Sequence, residues 1–364
     1  MKRKTKPIPI KRKPLRVVEE TPEVFKLSDE MKARKKPKKK TDYDGNTEMM
    51  VSTGSTLLDL AISGGRKKGG GIPGGIMVVG YGPSGTGKTV LACEVAGAIA
   101  RKGGAVKYRD SEARLNKKFA KIFDLDIDKI DCTRPDIIPD AFKDLFKWEP
   151  DEEYINGYII DSLAALSTSM EMDNDDGDKM GMRRAKEFSE HLRKCARIIA
   201  DRNLILFCTN QIREKHDANK YERKDINPGG KAIEFYSSLI LRFTSFSKIK
   251  KEIKIKGKKV FRVVGIEGTL EVDKSSIWKP HRTANITIYF DYGIDDIREN
   301  LTYIKKYTGA TIYYVNNTKL KQSLEESIEM VEELDLEKEL KEQVITLWEE
   351  IEEKFTVDRK KKKR

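Results

Sequence analysis

Apolar and polar positions along the chain change texture twice, near residue 46 and near residue 238. Before residue 46, Lys and Pro interrupt every apolar run and no helical or alternating period survives. Such a stretch cannot bury enough apolar surface to offset the entropy of ordering, so residues 1–46 are expected to form a basic, disordered arm. From "MMVSTGSTLLDLAI" onward the pattern is that of a packed domain, with a short helix capped at Ser55 or Thr56. Apolar runs "IMVVGY" (76–81), "AVKYRD" (105–110), "GYIIDS" (157–162) and "LILFCTN" (204–210) read as buried strands. Between them, "TVLACEVAGAIARKGG" reads as a helix ended by glycine, and Ala185, Phe188, Leu192, Ala196 and Ile199 repeat at helical spacing. Alternation of this kind predicts a mostly parallel sheet flanked by helices, an α/β class. After residue 238, "SLILRFT", "KVFRVVGI", "TLEVDK" and "ANITIYF" follow with little helix between, which predicts an antiparallel extension. Residues 47–297 are thus one core, residues 298–356 a small acidic α/β C-terminal domain, and residues 357–364 a basic tail.

Charge sharpens this division. The net charge is +13, of which residues 1–40 carry +11 and the terminal "RKKKKR" (359–364) +6, while residues 321–356 carry −9. Basic tails bind polyanions through counterion release without reading sequence, although solubility or localisation would explain them as well. No apolar run reaches the roughly 18 residues of a membrane span, and the basic start lacks the apolar region of a secretory signal. The expectation is a cytoplasmic protein with no membrane contact. Cys93, Cys132, Cys195 and Cys208 show no paired spacing and sit in apolar surroundings, as reduced core thiols do.

The most specific string is Gly82–Pro83–Ser84–Gly85–Thr86–Gly87–Lys88–Thr89, which fits G-x-x-x-x-G-K-[ST] between a predicted strand and a predicted helix. Glycines let the backbone curl its N–H groups toward phosphate oxygens, and the helix turns its positive end to the same anion. Lys88 would reach the β- and γ-phosphates, and the Thr89 hydroxyl would ligate Mg²⁺. ATP with Mg²⁺ is the expected ligand pair. Asp161 closes an apolar strand, where open α/β sheets hold ligands, and is the second metal anchor expected of such a site; a helix cap is the plain alternative. Glu112, with Asp110 as competitor, is the candidate base for activating water. Gln211 ends the strand "LILFCTNQ" and its amide is placed to sense a phosphate. Two long polar segments, 168–184 and 213–230, leave the same sheet edge. Arg183, Arg184, Arg213 and Lys215 would meet phosphates there, and His216 and Tyr221 would stack on bases; solvated loops are the competing reading.

These strings, in this order, resemble the RecA-type recombinases from about residue 51 to about residue 350: "STGSTLLDLAI", "GIPGG", "GPSGTGKT", "DSEARLN", "RPD", "IIDSLAAL", "MG", "NQIR", "GGKAIEFYSS", "YGIDDIRENL" and "GATIYY". The resemblance implies a RecA-like P-loop ATPase core and several roles. Glu112 would be the catalytic glutamate. Asn116 and Phe119 would lie near adenine, and Gln211 would link the γ-phosphate to the second DNA-binding segment. Single-stranded DNA would be held by the two segments, including Met182, Gly229 and Gly230. Phe235 would contribute to contacts between protomers of a helical filament. Lys274 would be one of two lysines acting on a neighbouring protomer's ATP. Ser276 stands where the second is found, with Lys279 and Arg282 nearby. The basic arm and the second segment, which carries "ANKY", mark a divergent member of the kind a phage or mobile element encodes.

The function that follows is ATP-dependent filament formation on single-stranded DNA, pairing with homologous duplex and strand exchange, with DNA-stimulated hydrolysis and single-strand-binding or mediator proteins as further partners. A hexameric helicase or repair ATPase of the same superfamily, or a non-catalytic ATP-switched filament or adaptor protein, are the alternatives.

Overall fold

The computed structural model describes residues 49–64, 68–169, 180–214, 225–226 and 231–359. The chain opens with β1 (Met50–Val51), which pairs antiparallel with β2 (Ile72–Pro73) around the buried helix α1 (Thr56–Ser63). Ser55 caps α1, its hydroxyl accepting from Leu58 N. Thr56 is instead held by Asp296, which accepts from its N–H and its hydroxyl at 2.6 Å each.

Strand β3 (Ile76–Gly82) then leads through the glycine-rich turn into α2 (Lys88–Arg101). β4 (Val106–Asp110), α3 (Lys117–Lys121), β5 (Asp131–Thr133), α4 (Ile138–Lys147), β6 (Asn156–Asp161), α5 (Met180–Asp201) and β7 (Leu204–Gln211) follow. After the short ladder β8 (Arg213–Glu214) with β9 (Asp225–Ile226) come α6 (Lys231–Tyr236), β10 (Leu239–Ile255), β11 (Lys258–Ser275), β12 (Thr283–Tyr289) and β13 (Gly293–Ile294). The last elements are α7 (Asp296–Thr308), the hairpin β14 (Tyr314–Val315) with β15 (Thr318–Lys319), α8 (Leu324–Glu333) and α9 (Glu337–Lys354).

Nine strands form the main sheet in the order β13-β12-β11-β10-β3-β7-β6-β4-β5. From β10 to β5 neighbours run parallel; β11, β12 and β13 add the antiparallel extension. The central strands β3, β6 and β7 are buried nearly throughout because each face of the sheet is covered there. On one side Val78, Ile159 and Phe207 pack with α1 and α2; on the other Val79, Tyr158 and Leu206 pack with Phe142, Phe188 and Leu192 of α4 and α5.

Three features differ from the sequence expectation. Helix α5 begins at Met180, inside the segment read as loop, while the face it buries starts further on, at Phe188, Leu192, Cys195 and Ile199. The boundary expected at residue 298 falls inside α7. Ile297, Leu301, Ile304, Val344 and Trp348 belong to the same apolar cluster as Leu58 and Ile286, so the C-terminal helices complete the core rather than build their own. Trp278 and Trp348 meet at 5.1 Å, and Glu352 accepts from Arg282 Nε and Nη2 at 2.7 and 2.8 Å. Finally, the runs "SLILRFT", "KVFRVVGI" and "TLEVDK" belong to a hairpin of two long strands, 17 and 18 residues, which outreaches both neighbours in the sheet, while "ANITIYF" forms β12. Among the described residues no helix is long and apolar enough to cross a membrane.

Candidate nucleotide site at the sheet edge

Register alone brings the candidate residues together. Gly82 pairs with Gln211 across β3 and β7, and Asp110 with Asp161 across β4 and β6, so the C-terminal ends of four adjacent parallel strands lie level. Open α/β sheets bind ligands at this edge.

The turn from Gly82 to Thr89 is held by its own backbone. Thr86 Oγ1 donates to Pro83 O at 2.9 Å, and Leu91 N to Gly87 O at 3.0 Å as the first bond of α2. Gly87, the residue before α2, sits at φ 86°, a left-handed conformation that a side chain disfavours. At Gly82 a Cβ would lie 2.7 Å from Phe243 Cβ, so only glycine lets β10 approach β3 there. Ser84 and Gly85 form the exposed crest of the turn. Lys88 Nζ lies across its mouth, donating to Gly82 O at 3.0 Å and Pro83 O at 2.5 Å. Burial lowers its ammonium to about 8, against the pull of Asp161 and Glu112. Backbone N–H groups on a helix start and a desolvated ammonium make an anion cradle.

Asp161 is buried and held from three sides. Thr209 Oγ1 of β7 donates to its Oδ1, Tyr108 OH of β4 to its Oδ2 at 3.1 Å, and the Thr89 hydroxyl of α2 also bonds it. Burial pushes its carboxyl above the usual range, and these donors pull it back only in part. A cation there would reverse the burial cost. The described residues contain no cluster of three or more His, Cys, Asp or Glu able to hold a metal unaided. The Thr89–Asp161 pair is instead the hard-oxygen set that suits a Mg²⁺ taking its other ligands from phosphates and water.

Glu112 stands beside this pair. Its Oε1 accepts from Ser162 Oγ at 2.7 Å and Gln211 Nε2 at 3.0 Å, and its Oε2 from Arg114 at 2.8 Å. A carboxylate has about four acceptor positions, so one remains, on Oε2. Its competitor Asp110 spends its oxygens on the N–H groups of Arg114 and Leu115, at 3.2 and 2.9 Å, shaping the turn that carries Glu112.

The other candidates divide. Asn116 caps α3 by accepting from Phe119 N at 3.0 Å, while Phe119 packs edge-on against Phe123. Met182 and Arg183 are exposed on the first turn of α5. Arg184 turns inward, donating to Leu163 O and Ala164 O at 2.7 and 2.8 Å, so these carbonyls hold its guanidinium against the fold. Lys274 lies outside the Lys88–Asp161–Glu112 group: it caps α6, donating to Glu234 O at 2.7 Å and Phe235 O at 3.3 Å, next to the exposed Phe235 ring. Arg282 and Lys279 both reach Glu352 within the chain. Of Arg213 only the backbone is described, and Lys215, His216, Tyr221, Gly229 and Gly230 lie outside the described residues. Sequence reasoning missed Ser162, Thr209, Tyr108 and Arg114. Alternation along β7 places Thr209 and Gln211 on one side of the strand, as it does Tyr108 and Asp110 along β4, and that was the available signal.

The RecA N-terminal domain family matches residues 38–295, well over half of the chain. The chain belongs to the RecA family. Among curated relatives it is 30% identical over 299 residues to Protein RecA of Acholeplasma laidlawii, covering 78% of this chain and 85% of the relative. It is 31% identical over 302 residues to Protein RecA of Clostridioides difficile, covering 81% and 82%. A solved RadB recombinase covers 67% of this chain and 98% of its own, with TM-score 0.46 and 19% identity. The family match spans the nine-stranded α/β unit, which is the RecA-like core, and its glycine-rich turn is that of a P-loop NTPase.

Proposed function

We propose that this RecA-family protein is an ATP-dependent recombinase that assembles on single-stranded DNA, pairs it with homologous duplex and exchanges strands, with hydrolysis stimulated by DNA. One observation carries the reading: Gln211, at the start of the polar segment 213–230, donates to Glu112, which stands beside the Lys88–Thr89–Asp161 cluster. A hydrolytic base and a segment suited to phosphates are one hydrogen bond apart.

The triphosphate would lie in the Gly82–Thr89 turn with its terminal phosphates toward Lys88. Mg²⁺, held through Thr89 and Asp161, would neutralise charge developing between the β- and γ-phosphates. Lys88 has to carry its proton to do its part, and phosphate beside it favours that form. Glu112 would orient and deprotonate water through its remaining Oε2 position. Ser162 and Arg114 hold the carboxylate while Gln211 is free to change partner, from Glu112 to phosphate. A strand bound by segment 213–230 would favour one of these partners, which makes DNA and nucleotide mutually reinforcing. Met182 and Arg183 would face the same strand from α5, and Phe235 and Lys274 would lie at the boundary with a neighbouring protomer in a filament.

The test is ATP turnover with and without single-stranded DNA, in the parent and in Glu112→Gln. The parent should be stimulated, and E112Q should bind ATP with turnover lost. Equal parental rates with and without DNA across salt would remove the coupling. Electron microscopy of DNA complexes separates open filaments from the rings of a helicase.

A further inference from the structure

Beyond the last strands that flank it, the β10–β11 hairpin runs on alone. β3 pairs with β10 over Leu239–Arg242, and β12 with β11 over Gly265–Glu271, so among the described residues Lys250–Ile255 and Lys258–Val263 pair with nothing but each other. Six cross-strand pairs make a free ribbon about 20 Å long at roughly 3.3 Å per residue. Its end is built: Lys256 and Gly257 take φ of 48° and 78°, the two-residue turn that matches strand twist.

Residues 248–262 contain eight Lys or Arg and one Glu, a net +7. That exceeds the +6 of the whole segment 41–320, so the rest of the folded core is close to neutral. The placement of these charges is costly. Lys254 stands directly opposite Lys259, and Lys251 directly opposite Arg262. Like charges opposite one another weaken strand pairing. Within the ribbon, among the described residues, one ion pair offsets this, Lys259 with Glu252 at 2.9 Å. A few lysines would be enough to guard an exposed edge against pairing with other strands. Stacked like-charge pairs call for a polyanion to neutralise them.

Opposed residues share a face, and adjacent pairs alternate faces, so the Lys254–Lys259 and Lys251–Arg262 pairs lie on opposite faces. Docking on one protein surface, such as the acidic C-terminal helices of a second copy, would use one cationic face. A two-stranded ribbon fits the major groove of B-DNA, about 12 Å wide, and one entering turn-first meets phosphate on both walls. We propose that the β10–β11 ribbon is a binding element for double-stranded DNA, entering the major groove with the Lys256–Gly257 turn leading. It is a different stretch of the sequence from segments 168–184 and 213–230, and the proposal does not depend on the ATP site.

The experiment compares the full-length parent with the variant K251Q/K254Q/K258Q/K259Q, reading affinity by fluorescence anisotropy for a duplex of roughly three helical turns and for an oligo-dT single strand of the same length. The basic termini are present in both proteins and cancel. At about 0.9 per duplex phosphate contact, the slope of log affinity against log salt should become shallower by roughly 3 to 4. Duplex affinity at low salt should fall at least about tenfold, with a smaller loss on the single strand. Nucleotide affinity without DNA should equal the parent's, which verifies the fold and keeps a failure here distinct from a failure of the ATPase reading. On the unaltered chain, duplex should protect these four lysines from acetylation. Unchanged duplex affinity and slope overturn the proposal, as does unprotected acetylation. An equal loss on single strand overturns the assignment to duplex. A change in oligomeric mass without DNA, with duplex binding intact, overturns it in favour of a second copy.

Discussion

Gln211→Met tests the proposed link between Glu112 as base and segment 213–230 as DNA contact most directly. Methionine keeps the length and apolar stem of glutamine and removes the amide, so the 3.0 Å bond to Glu112 Oε1 is lost while the Ser162 and Arg114 bonds remain. Hydrogen bonds to a charged group contribute roughly 1.5–3 kcal/mol. Gln211 is half-buried, so the lower half of that range applies. About 1.5–2 kcal/mol converts to roughly ten- to thirtyfold, at 1.4 kcal/mol per factor of ten. Because the amide bonds the carboxylate proposed as base and precedes segment 213–230, the loss should fall on coupling. The ratio of DNA-stimulated to basal turnover is expected to drop at least about tenfold. Nucleotide affinity should hold, since Gln211 meets the P-loop through the backbone of β7. Steady-state ATP hydrolysis with and without single-stranded DNA, with fluorescent-nucleotide titration alongside, measures both quantities. A mutant with the parental ratio refutes the reasoning, and one that loses nucleotide binding as well shows that Gln211 supports the turn itself.

Two further outcomes follow from buried charges. Lys88 is lowered to about 8 by burial, so nucleotide-free protein loses the ammonium proposed to meet phosphate as pH rises past that value. ATP affinity should be flat to about pH 8 and then weaken toward tenfold per pH unit; a flat titration to pH 10 would dismiss this. Glu94 of α2 is pushed up to about 7, chiefly by burial, from an ordinary 4.5. Between those values the unfolded chain ionises Glu94 and the folded chain does not, so its presence costs stability increasingly as pH rises to 7. Glu94→Gln should therefore raise the melting temperature by an amount that grows from pH 4.5 to 7 and is constant above, with a ceiling of about 3 kcal/mol. An equal shift at every pH in melting curves would contradict this origin.

Much of this was readable from residues because strand ends, not contacts, position the site. A continuous apolar run followed by Gly, Asp or Gln marks a buried parallel strand, and its end is where chemistry collects; Gly82, Asp161 and Gln211 were legible for that reason. Position alone favoured Glu112 but left Asp110 as a competitor, since which carboxylate spends its oxygens on local N–H groups is set by the turn's geometry. Arg184 read as a phosphate ligand, but whether an arginine faces solvent or its own backbone is decided by tertiary placement. The ribbon escaped notice because "KIKKEIKIKGKKV" alternates correctly for a strand while consisting mostly of lysine, which strands disfavour. The C-terminal helices read as a separate acidic unit because charge masks the apolar positions, Leu340, Val344 and Trp348, through which they join the core.

That joining sets the order in which the chain can fold. Helix α1, near the start of the domain, is buried on every residue, is pinned by Asp296, and shares an apolar cluster with Trp348. Its partners lie hundreds of residues downstream, and long-range closure of this kind slows folding. During synthesis α1 can therefore meet β1, β2 and α2 early, but its cover from α7 and α9 is expected only once those helices have emerged from the ribosome. Ribosome-stalled chains ending before residue 337 should be sensitive to protease at Leu57–Ile62, and chains extended past residue 354 should be protected.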